Sequence, residues 1–238
     1  MSAANPGKSA GTLRIVSRSH EAFRDRAEAG MLLAAELASY RGQKPVVLGI
    51  PRGGIVVARE LAQALNGELD VVLAHKLGTP GQQELAMGSV AEDGKMFLNE
   101  NVTRPLGVSR DYIEAEKERQ LAQIQRRIEM IRRVRPKVPL EGRVVIVTDD
   151  GVATGATTQA ALWAVRGEKP EKLIAAMPVG PEDTIRRLAD FVDVMLCLRA
   201  PPMFAAVGQF YERFHPVEDE EMLRILAEEA KRSQKPEA

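Results

Sequence analysis

Apolar positions along the chain follow two rhythms. Phe23, Ala27, Gly30, Leu33, Ala34 and Leu37 recur at helical spacing between Ser19 and Tyr40, with Ser19 placed as N-cap and Gly42 after the end. Unbroken apolar runs at Val46–Ile50, Leu69–Ala74 and Val144–Val147 predict strands buried on both faces, and the first and third each pass through a glycine-containing loop into helical spacing. Leu173–Val179 and Val192–Leu198 predict two more strands, flanking a helix over Pro181–Ala189 that Pro181 can begin. Between the second and third runs, a Gly/Pro segment at Leu77–Gln83 precedes Met87–Glu92 and Lys95–Asn99, which Asp93-Gly94 joins as a hairpin. A long helix is predicted over 109–135, with Leu121, Ile124, Ile128 and Ile131 on one stripe, acids near its start and Arg132, Arg133 and Arg135 at its end, a polarity that suits the helix dipole. A last helix covers about Asp219–Lys231. Strand, loop and helix alternating in this way predict an α/β fold with a doubly wound, mainly parallel sheet.

Composition narrows the function classes. The 238 residues are 45% hydrophobic and 28% charged, enough apolar surface for a substantial core. Residues 1–11, small and polar with Pro and Gly, are expected to form a mobile tail, leaving 12–235 as one domain. Lys and Arg total 33 and Asp and Glu total 33, so no global positive field draws the chain to nucleic acid or to an anionic membrane. The basic end of the long helix is accordingly expected to be a solvated terminus. One cysteine and three histidines argue against a disulfide or a structural zinc site. Neither a leader nor an apolar run near eighteen residues is evident, so the cytoplasm is the expected location.

Candidate chemistry concentrates in two loops. Val144–Thr148 runs into Asp149-Asp150 and then the small-residue stretch Ala153, Thr154, Gly155, Ala156, Thr157 and Thr158 before a helix. Small residues let backbone approach a ligand, threonine hydroxyls add donors, and a helix start presents unpaired N–H groups. That combination describes a cradle for a phosphate monoester, without the Lys of a Walker loop or the spacing of a dinucleotide fold. A bare carboxylate about 4 Å from a phosphate charge is repelled by roughly 4 kcal/mol at an effective dielectric near 20, so a sugar diol, a hard cation such as Mg²⁺, or both must separate them. The second loop, Pro51-Arg52-Gly53-Gly54, offers backbone donors at a helix start and a forked cation, a second anion site. Two anion sites with carboxylates beside one of them fit a ribose carrying a 5-phosphate and a 1-pyrophosphate.

These residues resemble the type I phosphoribosyltransferase family and, more narrowly, its bacterial branch of predicted phosphoribosyltransferases. The likeness runs from Phe23-Arg24-Asp25-Arg26 and Ala29-Gly30, through Pro-Arg-Gly-Gly, His75-Lys76-Leu77-Gly78 and Glu84–Val90, to Val207-Gly208-Gln209-Phe210-Tyr211. It implies that Asp149 and Asp150 hold the ribose hydroxyls and a Mg²⁺ reached through water and substrate. It also implies that Ala153–Thr158 bind the 5-phosphate and that Arg52, Gly53 and Gly54 receive pyrophosphate. Lys76 resembles a basic residue near pyrophosphate, or is a solvated strand-end charge. Gly151, where the family carries an aliphatic residue, and Thr148, in a run that is normally apolar, are expected to loosen the loop.

The implied reaction transfers ribose 5-phosphate from phosphoribosyl pyrophosphate to a nucleobase-like acceptor, as in nucleotide salvage. Leu77–Gly88 is the candidate lid, carrying Glu84 as a candidate catalytic residue. Phe204, Phe210, Tyr211 and Phe214 form either a hood that walls a base, with Tyr211 the contact to test, or packing for the last helix. Cys197 is expected in the core. The stripe Leu121–Ile131 suits a homodimer as well as a core. A regulator that binds the same ligand without turnover, and a phosphotransfer enzyme using the acids directly, are the rival readings.

Overall fold

The computed structural model describes residues 11–234, apart from the side chains of Gln83, Glu84 and Gln234. Six strands form the main sheet: β1 (Thr12–Ser17), β2 (Val46–Gly49), β3 (Glu68–Val71), β7 (Val144–Thr148), β8 (Lys172–Val179) and β9 (Val194–Arg199). Their order is β1-β9-β8-β7-β2-β3, with every neighbouring pair parallel. A second sheet of β4 (Ala74–Thr79), β5 (Gln82–Ala91) and β6 (Met96–Leu98) is antiparallel.

β2 and β7 are buried at every position, as their unbroken apolar runs require of strands covered on both faces. On one face α1 (Arg26–Glu36), α2 (Gly54–Ala64) and α7 (Asp219–Gln234) pack Leu33, Leu61 and Leu226 with Val47, Ile146 and Ile174. On the other, α5 (Ala156–Gly167) and α6 (Glu182–Ala189) pack Leu162 and Leu188 with Leu48, Val145 and Ala175. The sheet is therefore doubly wound. Among the described residues no helix is long and apolar enough to cross a membrane.

Several boundaries differ from the sequence reading, each for a traceable reason. Gly11 is already packed rather than part of a tail, since a Cβ there would lie 2.2 Å from the Val192 carbonyl oxygen. β1 escaped notice because it is an edge strand with only alternate positions half-buried. α1 starts after Asp25, whose side chain accepts from the Glu28 N–H, not after Ser19. Phe23 is drawn instead into main-chain pairing with the hood, donating to the Phe210 carbonyl at 2.7 Å and accepting from Glu212 N–H at 2.8 Å. The run Leu69–Ala74 is divided, because the chain leaves the main sheet after Val71 and enters the small one at Ala74.

The proposed lid segment is mostly strand. Leu77 is fully buried with Met87, Val90 and Ile113, and Gly81, at φ +73°, turns β4 into β5. Phe97 on β6 stacks on Trp163 of α5 at 4.6 Å, docking the small sheet against the large one. A short α3 (Glu100–Thr103) leads into α4 (Arg110–Val134), capped by Ser109. The stripe on α4 packs within the chain, with Ile131 in the main core and Leu121 against the small sheet. Of Arg132, Arg133 and Arg135 at the basic end of α4, only Arg133 is exposed. Arg132 binds Asp70 at 2.7 Å and Glu92 at 2.8 Å, and Arg135 is buried beside Glu68.

Candidate active site

From β2 the chain runs through α2 to β3 on one side, whereas from β7 it runs through α5 to β8 on the other. The two connections part between adjacent strands paired through Gly49 and Thr148, and a crevice opens there at the carboxyl ends. Both candidate loops border this crevice. Ile50 N–H donates to the Thr148 carbonyl at 2.9 Å, extending the pairing to the loop itself.

The glycines of Pro51–Gly54 are required by the acid pair. A Cβ on Gly53 would fall 2.0 Å from Oδ2 of Asp150, and one on Gly54 would fall 2.8 Å from Cα of Asp149. Asp149 Oδ1 accepts the Asp150 N–H at 2.8 Å, and the Asp149 carboxylate takes a further backbone bond from Gly54. Burial, followed by the Asp150 charge, raises the Asp149 carboxyl well above the ordinary range; burial also raises Asp150, opposed by Arg26.

Arg26 is the residue that sequence reasoning left without a role. Its Nε donates to Asp150 Oδ2 at 2.8 Å, its Nη1 donates to the His215 carbonyl at 2.8 Å, and the guanidinium lies 4.0 Å from the centre of the Phe214 ring. A signal was present. Arg26, Gly30, Leu33 and Leu37 share one helical face, and an arginine on an apolar stripe must find an acid where the helix packs.

On the far side of the acids, Ala153 and Thr154 are exposed and Gly155 takes φ +79° to open α5. The Ala153 carbonyl accepts from Thr184 Oγ1 at 3.1 Å and the Thr154 carbonyl from Arg187 at 2.5 Å. A trans peptide points its N–H opposite its carbonyl, so the Thr154 and Gly155 N–H groups face away from α6. Gln159 N–H makes the first helical bond, to Gly155, leaving the Ala156, Thr157 and Thr158 N–H groups at the helix start. Donors and dipole together are an arrangement able to hold an anion.

A family model described as the phosphoribosyl transferase domain matches residues 21–214. The chain belongs to the phosphoribosyltransferase family. It is 44% identical over 204 residues to "Putative phosphoribosyl transferase Rv0571c" of Mycobacterium tuberculosis, a match covering 86% of this chain and 46% of that protein. The chain thus spans about half the length of this curated relative. The crystal structure of TT1426 from Thermus thermophilus is similar throughout, with a TM-score of 0.84 at 46% identity, over 88% of this chain and 99% of that one.

Among phosphoribosyltransferase site residues suggested by the sequence, Asp149, Asp150, Gly53 and Gly54 meet directly. Ala153–Thr158 continue the same loop, although the Thr158 side chain is buried at 2% exposure and its hydroxyl is not at the surface of the cradle. Arg52 lies at the mouth, 3.3 Å from Glu218 and 3.8 Å from Asp219 at the start of α7. Lys76 is half-buried on β4, paired in register with Ser89 of the small sheet. Glu84 lies on β5, and its side chain falls outside the described residues.

Packing decides three sequence expectations. Tyr211 is not a wall for a base: it is 6% exposed, stacked on Phe214 at 5.1 Å and packed on Phe23 at 5.4 Å, and its hydroxyl donates to the Asp150 carbonyl at 2.5 Å. Gly151 does not loosen the loop, because a Cβ there would meet Val207 at 2.6 Å and Val179 at 3.0 Å. The hood fills the space that an aliphatic side chain would take. Thr148 likewise tightens the strand end, donating to the Ala176 carbonyl at 2.6 Å. Cys197 is buried, and burial pushes its thiol up to about 12, as befits a core residue.

Tyr211→Phe separates these roles by experiment. It keeps every ring contact and strands the buried Asp150 carbonyl, so denaturant unfolding should show a loss of about 1–3 kcal/mol. An unchanged midpoint would show that the hydroxyl does not hold the acid loop.

Among the described residues no group of three or more His, Cys, Asp or Glu side chains could hold a metal ion. Asp149 and Asp150 alone do not form a cage. Mg²⁺ needs no such cage where substrate phosphates supply most of its oxygens, and with that division of ligands the acid pair fits it.

Proposed function

We propose that the chain transfers the 5-phosphoribosyl group of phosphoribosyl pyrophosphate to a nucleobase-like acceptor and releases pyrophosphate. The observation that carries this reading is the acid pair in the crevice between β2 and β7, touched by Gly53 and Gly54 on one side and continued into the Thr154–Gly155 cradle on the other. One ligand with an anion at each end and hydroxyls between them satisfies all three elements.

In this reading the 5-phosphate lies on the N–H groups of Thr154, Gly155 and the start of α5. The ribose hydroxyls donate to Asp149 and Asp150. Pyrophosphate lies against Arg52, Gly53 and Gly54, with Lys76 as a further cation from β4. The C1–O bond breaks with its electron pair leaving on pyrophosphate, an acceptor nitrogen forms the C1–N bond, and that nitrogen's proton passes to solvent or a base. Positive charge develops on the ribose beside two carboxylates while negative charge grows on the leaving group beside Arg52, so both ends are held more tightly at the transition state. Bound Mg²⁺ would supply charge neutralisation on the pyrophosphate oxygens. The β4–β5 turn, with Glu84 near it, is the element suited to close over the reacting centre and exclude water.

A hollow of about 320 Å³ beside the hood, lined by Arg18, Pro181, Glu182, Pro201 and Phe204 among others, supports an acceptor site there. Phe204 stacks on Phe210 at 5.4 Å, and Arg18 and Glu182 pair at 2.7 and 2.9 Å along the rim. A flat base against Phe204 with polar edges toward this pair suits the space.

Pyrophosphate release from labelled phosphoribosyl pyrophosphate, measured with Mg²⁺ and a panel of purines and pyrimidines, tests the reading. Release that depends on one base supports transfer. Tight binding of the phosphoribosyl donor with no base-dependent release would replace this reading with the regulator.

A further inference from the structure

Asp150 must do two things that conflict. It must hold one orientation to accept a ribose hydroxyl, yet its side chain, 16% exposed, lies beside the Asp149 carboxylate and close to where anionic groups bind. A substrate-borne cation answers this only once substrate arrives. The chain holds an answer of its own in Arg26, a buried guanidinium with its side chain 10% exposed, joined to Asp150 Oδ2 at 2.8 Å.

The arrangement around Arg26 is built from three separate segments. The helix start supplies Arg26 itself, capped in place by Asp25. The hood supplies the Phe214 ring 4.0 Å below the guanidinium and the His215 carbonyl 2.8 Å from Nη1. The pyrophosphate-side loop supplies Gly53, where a Cβ would come within 3.0 Å of Nε. Such a guanidinium has little freedom to follow a mobile partner, so the partner is held to it. One Asp150 oxygen is thereby engaged from the protein side, which fixes the carboxylate plane and directs what remains toward the crevice.

We propose that Arg26 is the positioning residue of the acid pair, a fixed internal cation that orients the Asp150 carboxylate for the ribose hydroxyls before any divalent ion binds. The inference rests on the proposed function, since it takes the acid pair to be the diol site. It differs from a scaffold role in a measurable way: Arg26 acts on recognition of the sugar hydroxyls, not on the phosphate cradle some residues further along the loop.

The experiment compares ribose 5-phosphate with 2-deoxyribose 5-phosphate by calorimetry on the full chain in the presence of EDTA. The unsubstituted protein should favour ribose 5-phosphate by roughly tenfold or more, the size expected for one hydrogen bond to a charged group. Arg26→Gln should bring that preference below about threefold while 2-deoxyribose 5-phosphate binds as before, and Arg26→Lys should restore part of it. Phe214→Leu removes the ring beneath the guanidinium without unpairing a buried charge, and should lower the preference in a chain that still folds. Preference retained in Arg26→Gln, or retained in Phe214→Leu if the first variant does not fold, overturns the inference and leaves the diol site standing. Equal loss of both sugars from a folded variant also overturns it, in favour of a general structural role. Absence of any preference in the unsubstituted protein removes the diol reading itself, and this inference with it.

Discussion

Alanine at Gly53 should cost at least about 100-fold in base-dependent pyrophosphate release, with the fold retained. The added Cβ would sit 2.0 Å from Asp150 Oδ2, so either the carboxylate or the loop must shift by about an ångström, a displacement that oriented catalysis does not tolerate. It would also press on Arg26 Nε at 3.0 Å, disturbing both sides of the same carboxylate. The stability cost should stay within the roughly 1–3 kcal/mol typical of overpacking, because the site opens toward solvent on its ligand side. Steady-state kinetics and denaturant unfolding on the same preparation separate the two effects. Activity within about twofold of the unsubstituted protein would show that the glycine is not there for the acid pair.

The second large effect lies outside the site and acts on stability. Arg132→Met should destabilise the chain by about 3–5 kcal/mol at pH 8, since it leaves Asp70, whose side chain is 2% exposed, without its cation and Glu92, 10% exposed, with only Lys137 at 3.7 Å. Asp70 also accepts from the Val71 and Val138 N–H groups, so it cannot swing out to water without breaking the start of β3's exit and the segment before β7. Burial already raises the Asp70 carboxyl even with Arg132 beside it, and removing Arg132 raises it further. A group whose folded pKa is raised stabilises the fold below its unfolded pKa, and that contribution is lost as pH rises through the folded value. The deficit of Arg132→Met should therefore shrink as pH is lowered from 8 toward 5. A deficit that stays constant with pH would assign the loss to packing rather than to the two carboxylates.

How much of this was legible in the chain depends on the range of the interaction. β2, β7 and the helices after them were readable because buried parallel strands carry unbroken apolar runs, and the glycines and acids follow them immediately. The candidate loops were legible for the same reason. β1 was not, because an edge strand half-covered on alternate residues leaves no run to notice. Asp25 displaced Ser19 as the cap because Phe23 is committed to main-chain pairing with a segment nearly two hundred residues away, which no local pattern encodes. Arg132 looked like a solvated helix end because its partners, Asp70 and Glu92, come from distant parts of the chain. Of the two roles open to Tyr211, packing holds and the base wall does not. The aromatic spacing revealed a hood, while the bond from Tyr211 to the Asp150 carbonyl depends on how that hood folds over the acid loop. Arg26 was the one missed site residue with a local trace, a charge on an apolar helical face.

If the turns after β2 and β7 grip one molecule at both of its charged ends, competition calorimetry will show it directly. Phosphoribosyl pyrophosphate with Mg²⁺ should bind one per chain and be displaced separately by ribose 5-phosphate and by pyrophosphate, while those two bind together without excluding each other. Displacement by only one of the two, or mutual exclusion between them, would contradict a site with two separate anion ends.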